Sequence, residues 1–277
     1  LSRTIHGQSA HRAAALRELV QNALDASPRG ARIQVRTNAT GRELTVQDHG
    51  RGMTAEELLD DLLVPFRSGK HAESGAIGEH GIGFFASLEI ASEVIIDSVG
   101  PGCCNRVTLR AVGEAPSADF SWELEPLAAP GPFRPIGTTV RLTLTAPVDR
   151  STIFNEVAAV AGLVNPAVAC IYVNDALVNT TRMRVRPVAR VPISGGALGE
   201  VELLIGRGEG IPPQVVVTQK GLLVAIRKDP FPGLEHGLHR DLFRALASCG
   251  YGVVADLSPR VPLNKGRSAV SAAAARA

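Results

Sequence analysis

Glu18, Asn22 and Asp25 stand four and then three residues apart within a stretch, 9–26, whose apolar residues recur at helical spacing. At about 100° per residue the three side chains project within roughly 60° of one another. A stripe of acid, amide and acid can place a general base one turn from an oxygen ligand for Mg²⁺. The same stripe can also simply face solvent.

Two glycine-rich segments carry the remaining chemistry. Asp48-His49-Gly50-Arg51-Gly52-Met53 directly follows a strand-like run. Its two glycines allow close approach of a flat ligand, and Asp48 could accept a hydrogen bond from an exocyclic amine. A plain Asp-Gly turn is the alternative. Gly78-Glu79-His80-Gly81-Ile82-Gly83 runs straight into an apolar segment beginning at Phe84. Backbone N–H groups at such a helix start suit phosphates, although a glycine loop without a ligand would read the same way. The two commonest phosphate motifs do not fit. Gly81 to Ala86 matches the dinucleotide-binding spacing, but a polar loop precedes it instead of a buried strand, and Asp97 lies too near to be the ribose acid. Gly69-Lys70 is followed by His71, and Val64 stands where a P-loop needs its first glycine.

The elements that must position these groups follow from periodicity and punctuation. A helix is predicted over 9–26, stopped by Pro28 and Gly30. Strands at 32–37 and 43–47 are joined by the turn Asn38-Ala39-Thr40-Gly41. Thr54, with Glu57 three residues on, predicts a capped helix over 54–63, and residues 65–83 form a long loop of the functional kind. Then come a helix at 84–91, strands at 93–99, 104–112, 120–124 and 138–145, a helix at 151–163 and a hairpin around Asn174-Asp175. Beyond about Thr181 the texture changes to strands at 201–205, 215–217 and 222–226, a helix at 238–249 and a strand at 253–255. The expected organisation is a first domain over 1–181 and a second over 182–277.

Length and composition agree with two packed domains. The 277 residues are 45% hydrophobic and 20% charged, enough for substantial cores. With aromatics at 4%, those cores are built mainly from Ala, Val, Leu and Ile. Lys and Arg total 29 against 27 Asp and Glu, a balance that does not point to nucleic acid or an anionic membrane surface. The four cysteines lack C-x-x-C spacing and read as thiols in a reducing cytoplasm. No stretch is apolar for the ~18 residues that a membrane span needs. The start at Leu1 and the alanine-rich end suggest a fragment of a longer protein.

Taken in order, these segments resemble the GHKL ATPase superfamily, shared by gyrase, mismatch-repair, histidine-kinase and heat-shock chaperone proteins. LRELVQNALDA (16–26), DHGRGM (48–53) and IGEHGIGFFAS (77–87) most resemble the heat-shock protein 90 family, and GTTVRLTL (137–144) its later nucleotide-pocket strand. VPLNKGRS (261–268) is similar to the middle-domain loop that brings an arginine to the ATP γ-phosphate.

The resemblance implies an α+β fold: a Bergerat-type ATPase α/β sandwich, then a second α/β domain like the family's ribosomal-protein-like middle segment. It implies ATP as substrate with Mg²⁺, and a bacterial-type, chaperone-like activity in which ATP binding closes lid and domains. Glu18 would orient and deprotonate the attacking water, and Asn22 would hold Mg²⁺. Asp48, supported by Thr138, would bind the adenine amine, with Gly50, Gly52, Met53 and Phe84 around the base. The backbone of Gly78, Gly81, Ile82 and Gly83 would wrap the phosphates, Lys70 would face them, and Arg267 would stabilise charge on the γ-phosphate. Client proteins and a homodimer of the full-length protein are the implied partners.

Departures from the family pattern are a short lid between Met53 and Gly78 and Ser268 in place of a glutamate. The swapped N-terminal strand and the dimerisation domain are missing. The rival expectations are a mismatch-repair or type II topoisomerase-like ATPase, for which Lys265 is the nearest candidate lysine, and a nucleotide-binding scaffold without hydrolysis.

Overall fold

The computed structural model describes residues 2–62, 83–100, 103–112, 119–127, 136–179, 186–194, 200–207, 215–219, 221–227, 245–246 and 248–257. They form a mixed α+β fold in two compact units. The first occupies most of the chain up to Val178; the second takes Ala161–Val164 and the chain from Asn179 onward.

In the first unit, helix α1 (Ser2–Ala26) leads into β1 (Ala31–Thr37), β2 (Glu43–Gln47), β3 (Ala91–Gly100), β4 (Cys103–Val112), β5 (Asp119–Pro126) and β6 (Gly137–Leu144). Helix α2 (Arg150–Ala161), β7 (Ala169–Val173) and the short β8 (Ala176–Leu177) follow. The eight strands form one sheet in the order β5-β4-β3-β6-β2-β1-β7-β8. All its pairs are antiparallel except β1 with β7, which is parallel.

Register turns sequence alternation into two unlike faces. Val107, Ile96, Val140, Val46, Val35 and Val173 stand in one cross-strand row. Leu109, Val94, Leu142 and Leu44 form the next row of this apolar face, all fully buried. Arg106, Asp97, Thr139, Gln47, Gln34 and Tyr172 form a row on the opposite, polar face. Burying one Leu or Val side chain contributes about 1.5–3 kcal/mol, so a slip of one residue in any strand would be heavily penalised.

Helix α1 buries Ala15, Leu16, Leu19, Val20 and Ala23, while α2 buries Ile153, Val157, Ala158 and Ala161. The Arg12 guanidinium joins the two helices, donating from Nε and Nη2 to the two Glu156 carboxylate oxygens at 2.7 and 2.6 Å. Asp149 caps α2, accepting from the Thr152 N–H at 2.8 Å and from the hydroxyls of Ser151 and Thr152. These contacts, and the hydroxyl of Ser151 above all, hold the Asp149 carboxyl well below its ordinary range.

The predicted turns form as expected. Asn38 Oδ1 accepts from Thr40 Oγ1, Arg42 N and Glu43 N, and Asn174 and Asp175 close the β7–β8 hairpin with φ of 47° and 70°. Two helix predictions need correction. The Thr54–Glu57 capping box is present, Thr54 N donating to Glu57 Oε2 at 2.8 Å and Glu57 N to Thr54 Oγ1 at 3.1 Å. The winding it starts opens α-helical at 55–56, Leu58 N donating to Thr54 O at 3.0 Å, and continues as a π-helical turn, Glu57–Leu62. The predicted helix at 84–91 is a tighter 3-10 helix, Gly83–Glu89. Ala91 is drawn out of it by pairing with Leu144 on β6.

The second unit holds β9 (Arg186–Ser194), β10 (Glu200–Arg207), β11 (Val215–Gln219), β12 (Leu222–Arg227) and β13 (Gly252–Leu257). They make one sheet in the order β12-β11-β13-β10-β9. Strand β9 went unpredicted because Pro187 and Pro192 interrupt it. It is an edge strand, where a missing N–H is tolerated. Of the helix expected at 238–249, 245–246, 248 and 249 are described; 245–246 and 248 are helical and Cys249 lies in a turn.

Candidate functional site

The polar turn after β2 is the best-defined part of the site. Asp48 N donates to Thr138 O at 2.9 Å, and Thr138 N donates back to Asp48 Oδ1 at 3.0 Å. Gly50 N donates to the same Oδ1 at 2.8 Å. Both bonds thus fall on one carboxylate oxygen. Asp48 is only 7% exposed. Burial raises its pKa above the ordinary value, outweighing the opposing pull of the Gly50 and Thr138 N–H groups and of His49.

Glycine is required at three points around this carboxylate. A Cβ on Gly50 would lie 2.5 Å from the carbonyl oxygen of Ala26, at the end of α1. On Gly52, with φ of +71°, it would lie 2.4 Å from Val99 O. On Gly137, with φ of +137°, it would lie 2.3 Å from Asp48 O. The glycine spacing read from the sequence therefore serves backbone-to-backbone approach between the turn, α1, β3 and β6.

The turn is fastened at its far end. Met53 N donates to the hydroxyl of Ser98 on β3 at 2.6 Å. Arg51 Nη1 lies 2.6 Å from Glu57 Oε1. Burial pushes the Glu57 carboxyl up, but the Thr54 N–H and Arg51 outweigh it and hold the group below its ordinary value. His49 is exposed, and its Nδ1 lies 3.1 Å from Arg32 O, to which it can donate.

Glu18 and Asn22 are half-buried on α1, the helix whose last residue abuts Gly50. At 1.5 Å per residue, Asn22 sits roughly 6 Å along the axis from Ala26. Helix α1 packs against the 3-10 helix that Gly83 and Phe84 open. The structure thus brings together Asp48, Gly50, Gly52, Met53 and Thr138, and seats the helix of Glu18 and Asn22 against their turn. Lys70, Gly78, Gly81, Ile82 and Arg267 lie outside the described residues. Ser98 and Gly137 belong to the site but were missed. No local pattern marks them, because their partners lie 45 and about 90 residues away.

Residues 10–129 match the family described as histidine kinase-, DNA gyrase B-, and HSP90-like ATPase. Residues 10–129 therefore resemble an ATPase domain of this family. The chain is also similar to curated chaperones. The chain is 30% identical over 129 residues to a chaperone protein HtpG of Anaplasma marginale (strain St. Maries), covering 37% of this chain and 20% of that protein. It is 28% identical over 180 residues to the HtpG of Methylorubrum extorquens (strain PA1), covering 54% and 27%. It is 26% identical over 151 residues to heat shock protein 90-5, chloroplastic, of Arabidopsis thaliana, covering 44% and 19%. The chain therefore spans a fifth to about a quarter of the length of these relatives. Among the described residues, no helix is long and apolar enough to cross a membrane.

Proposed function

We propose that this chain binds and hydrolyses ATP as the nucleotide module of a chaperone of the heat-shock protein 90 type. The observation that carries the reading is the Asp48 carboxylate. It is buried, and among the described residues its two hydrogen bonds from the chain both fall on Oδ1. The other oxygen is then available to accept from the adenine amine, on a turn that glycines at 50, 52 and 137 let pack closely against α1, β3 and β6. Thr138 supports the carboxylate, and Met53 and Phe84 wall the base.

Glu18, about two helical turns before Ala26 and on the same polar stripe as Asn22, acts as the base that orients and deprotonates water. Among the described residues no three His, Cys, Asp or Glu side chains converge on a common point. A magnesium ion would therefore be held by the Asn22 amide oxygen, nucleotide phosphates and water, a usual arrangement for this hard cation. When bound, it neutralises charge on the phosphates. The resemblance assigns the phosphates to the backbone of Gly78, Gly81, Ile82 and Gly83 with Lys70, and charge developing on the γ-phosphate to Arg267, the positioning-plus-electrostatics strategy common to phosphoryl transfer. Client proteins, dimerisation and domain closure belong to the longer protein of which such a module would be a part.

Glu18→Ala tests the reading. Calorimetric ATP binding should persist within a few-fold of the parent, while phosphate release falls to background. A variant that hydrolyses ATP as fast as the parent would overturn the assigned mechanism.

A further inference from the structure

We infer that Ser98 is a positioning residue for the adenine pocket, acting through the backbone of Met53; this rests on the ATP-site reading above. The reason begins with the alternation of β3. Val94, Ile96 and Ser98 point to the apolar face of the sheet, and the first two are fully buried among Leu109, Leu142, Val107 and Val140. Ser98 is 0% exposed as well. A hydroxyl in an apolar row, cut off from water, is costly unless it is hydrogen-bonded. Its partner is the Met53 N–H at 2.6 Å.

Register gives that bond its meaning. Ser98 stands directly opposite Thr138 in the antiparallel β3–β6 pair, which puts their Cα atoms roughly 5 Å apart. Thr138 holds the first residue of the turn through the Asp48 carboxylate. Ser98 holds the last through Met53. Between them, Gly52 rests against the backbone of Val99 and Gly100, with no room for a side chain. The Thr138 backbone and the Ser98 hydroxyl, side by side on adjacent strands, therefore grip the two ends of the Asp48–Met53 turn. Thr138 sets where the acceptor for the exocyclic amine lies, and Ser98 sets where the wall beneath the ring lies. The turn is held in its binding shape before the nucleotide arrives, which spares binding the cost of ordering it.

The test compares the 277-residue parent with Ser98→Ala, using ATP and inorganic tripolyphosphate as separate probes. One lost hydrogen bond of ordinary strength predicts a roughly three- to tenfold weaker ATP affinity and a matching rise in KM. Turnover at saturating ATP and tripolyphosphate affinity should stay at parent values, and the Met53 amide should exchange with solvent faster. Ser98→Cys, which keeps the volume but offers a weaker acceptor, should fall between parent and Ser98→Ala, and serves if the alanine variant does not fold. Parent-like ATP affinity in both variants sinks the inference alone. Equal losses toward ATP and tripolyphosphate sink it too, because they mark general damage. If the parent itself binds tripolyphosphate but no ATP, the adenine-pocket reading fails, and the inference with it.

Discussion

Replacing Gly52 by alanine separates two ways in which a glycine can matter, and Gly30 supplies the control. Both residues have left-handed backbone, with φ of +71° and +80°. Alanine in that region costs about 1–2 kcal/mol. At Gly30 the new methyl meets nothing within 4 Å, so this conformational cost is all that is expected. At Gly52 the methyl would stand 2.4 Å from Val99 O, 2.6 Å from Val99 C and 2.9 Å from Gly100 N. Ordinary contact begins near 3.4 Å, so turn and strand must separate by 1.0 Å (3.4 less 2.4). The atoms in the way are backbone, with no side chain to swing aside. Overpacking of this kind costs about 1–3 kcal/mol, giving a total of about 2–5 kcal/mol for Gly52→Ala.

The displacement also moves Met53 away from Ser98. Thermal unfolding and calorimetric ATP titration read the two effects apart. Gly30→Ala should lose about 1–2 kcal/mol of stability with unchanged ATP affinity. Gly52→Ala should lose more stability and bind ATP on the order of ten- to a hundredfold more weakly. If Gly52→Ala binds ATP like the parent while Gly30→Ala is destabilised as expected, the turn is not part of the nucleotide site.

Two further outcomes follow from charge. Asp48 has a raised pKa, so the folded chain holds this proton more tightly than the unfolded chain, and acidification through that range favours the unliganded fold. The same proton removes the anionic acceptor, so ATP affinity should fall on acidification at a pH above the ordinary aspartate range; Asp48→Asn should bind weakly with no such acid limb. Absence of the limb in the parent would show that the ionised carboxylate is not the acceptor. Arg12→Leu removes the bidentate partner of Glu156 at the α1–α2 contact, where the side chains are 15% and 13% exposed. It should cost about 2–4 kcal/mol in chemical denaturation, and Glu156→Gln in the same background should recover part of the loss. Equal stability of parent and Arg12→Leu would refute the bridging role.

Much of the site was legible because it is local. Glu18 and Asn22 share a helix face through a fixed helical repeat, and Asp48, Gly50 and Gly52 occupy one turn. The capping box of Thr54 and Glu57 closes within four residues. The strand-like runs that became β1 to β6 were likewise legible. Local chemistry of this kind leaves a local trace.

What stayed hidden depends on pairing between distant segments. The order β5-β4-β3-β6-β2-β1-β7-β8 seats β6 between β3 and β2, although 36 residues separate Gly100 from Gly137. That placement alone brings Thr138 to Asp48 and sets Ser98 beside Thr138. Strand β9 hid behind its prolines until its edge position made them harmless. Sequence alone determined which residues could bind a base and its phosphates, because side-chain chemistry and helical or strand periodicity are properties of neighbours along the chain. Only the tertiary structure decided which hydroxyl, backbone groups and glycines hold the Asp48 turn in shape, because register is a property of strands that meet late and far apart.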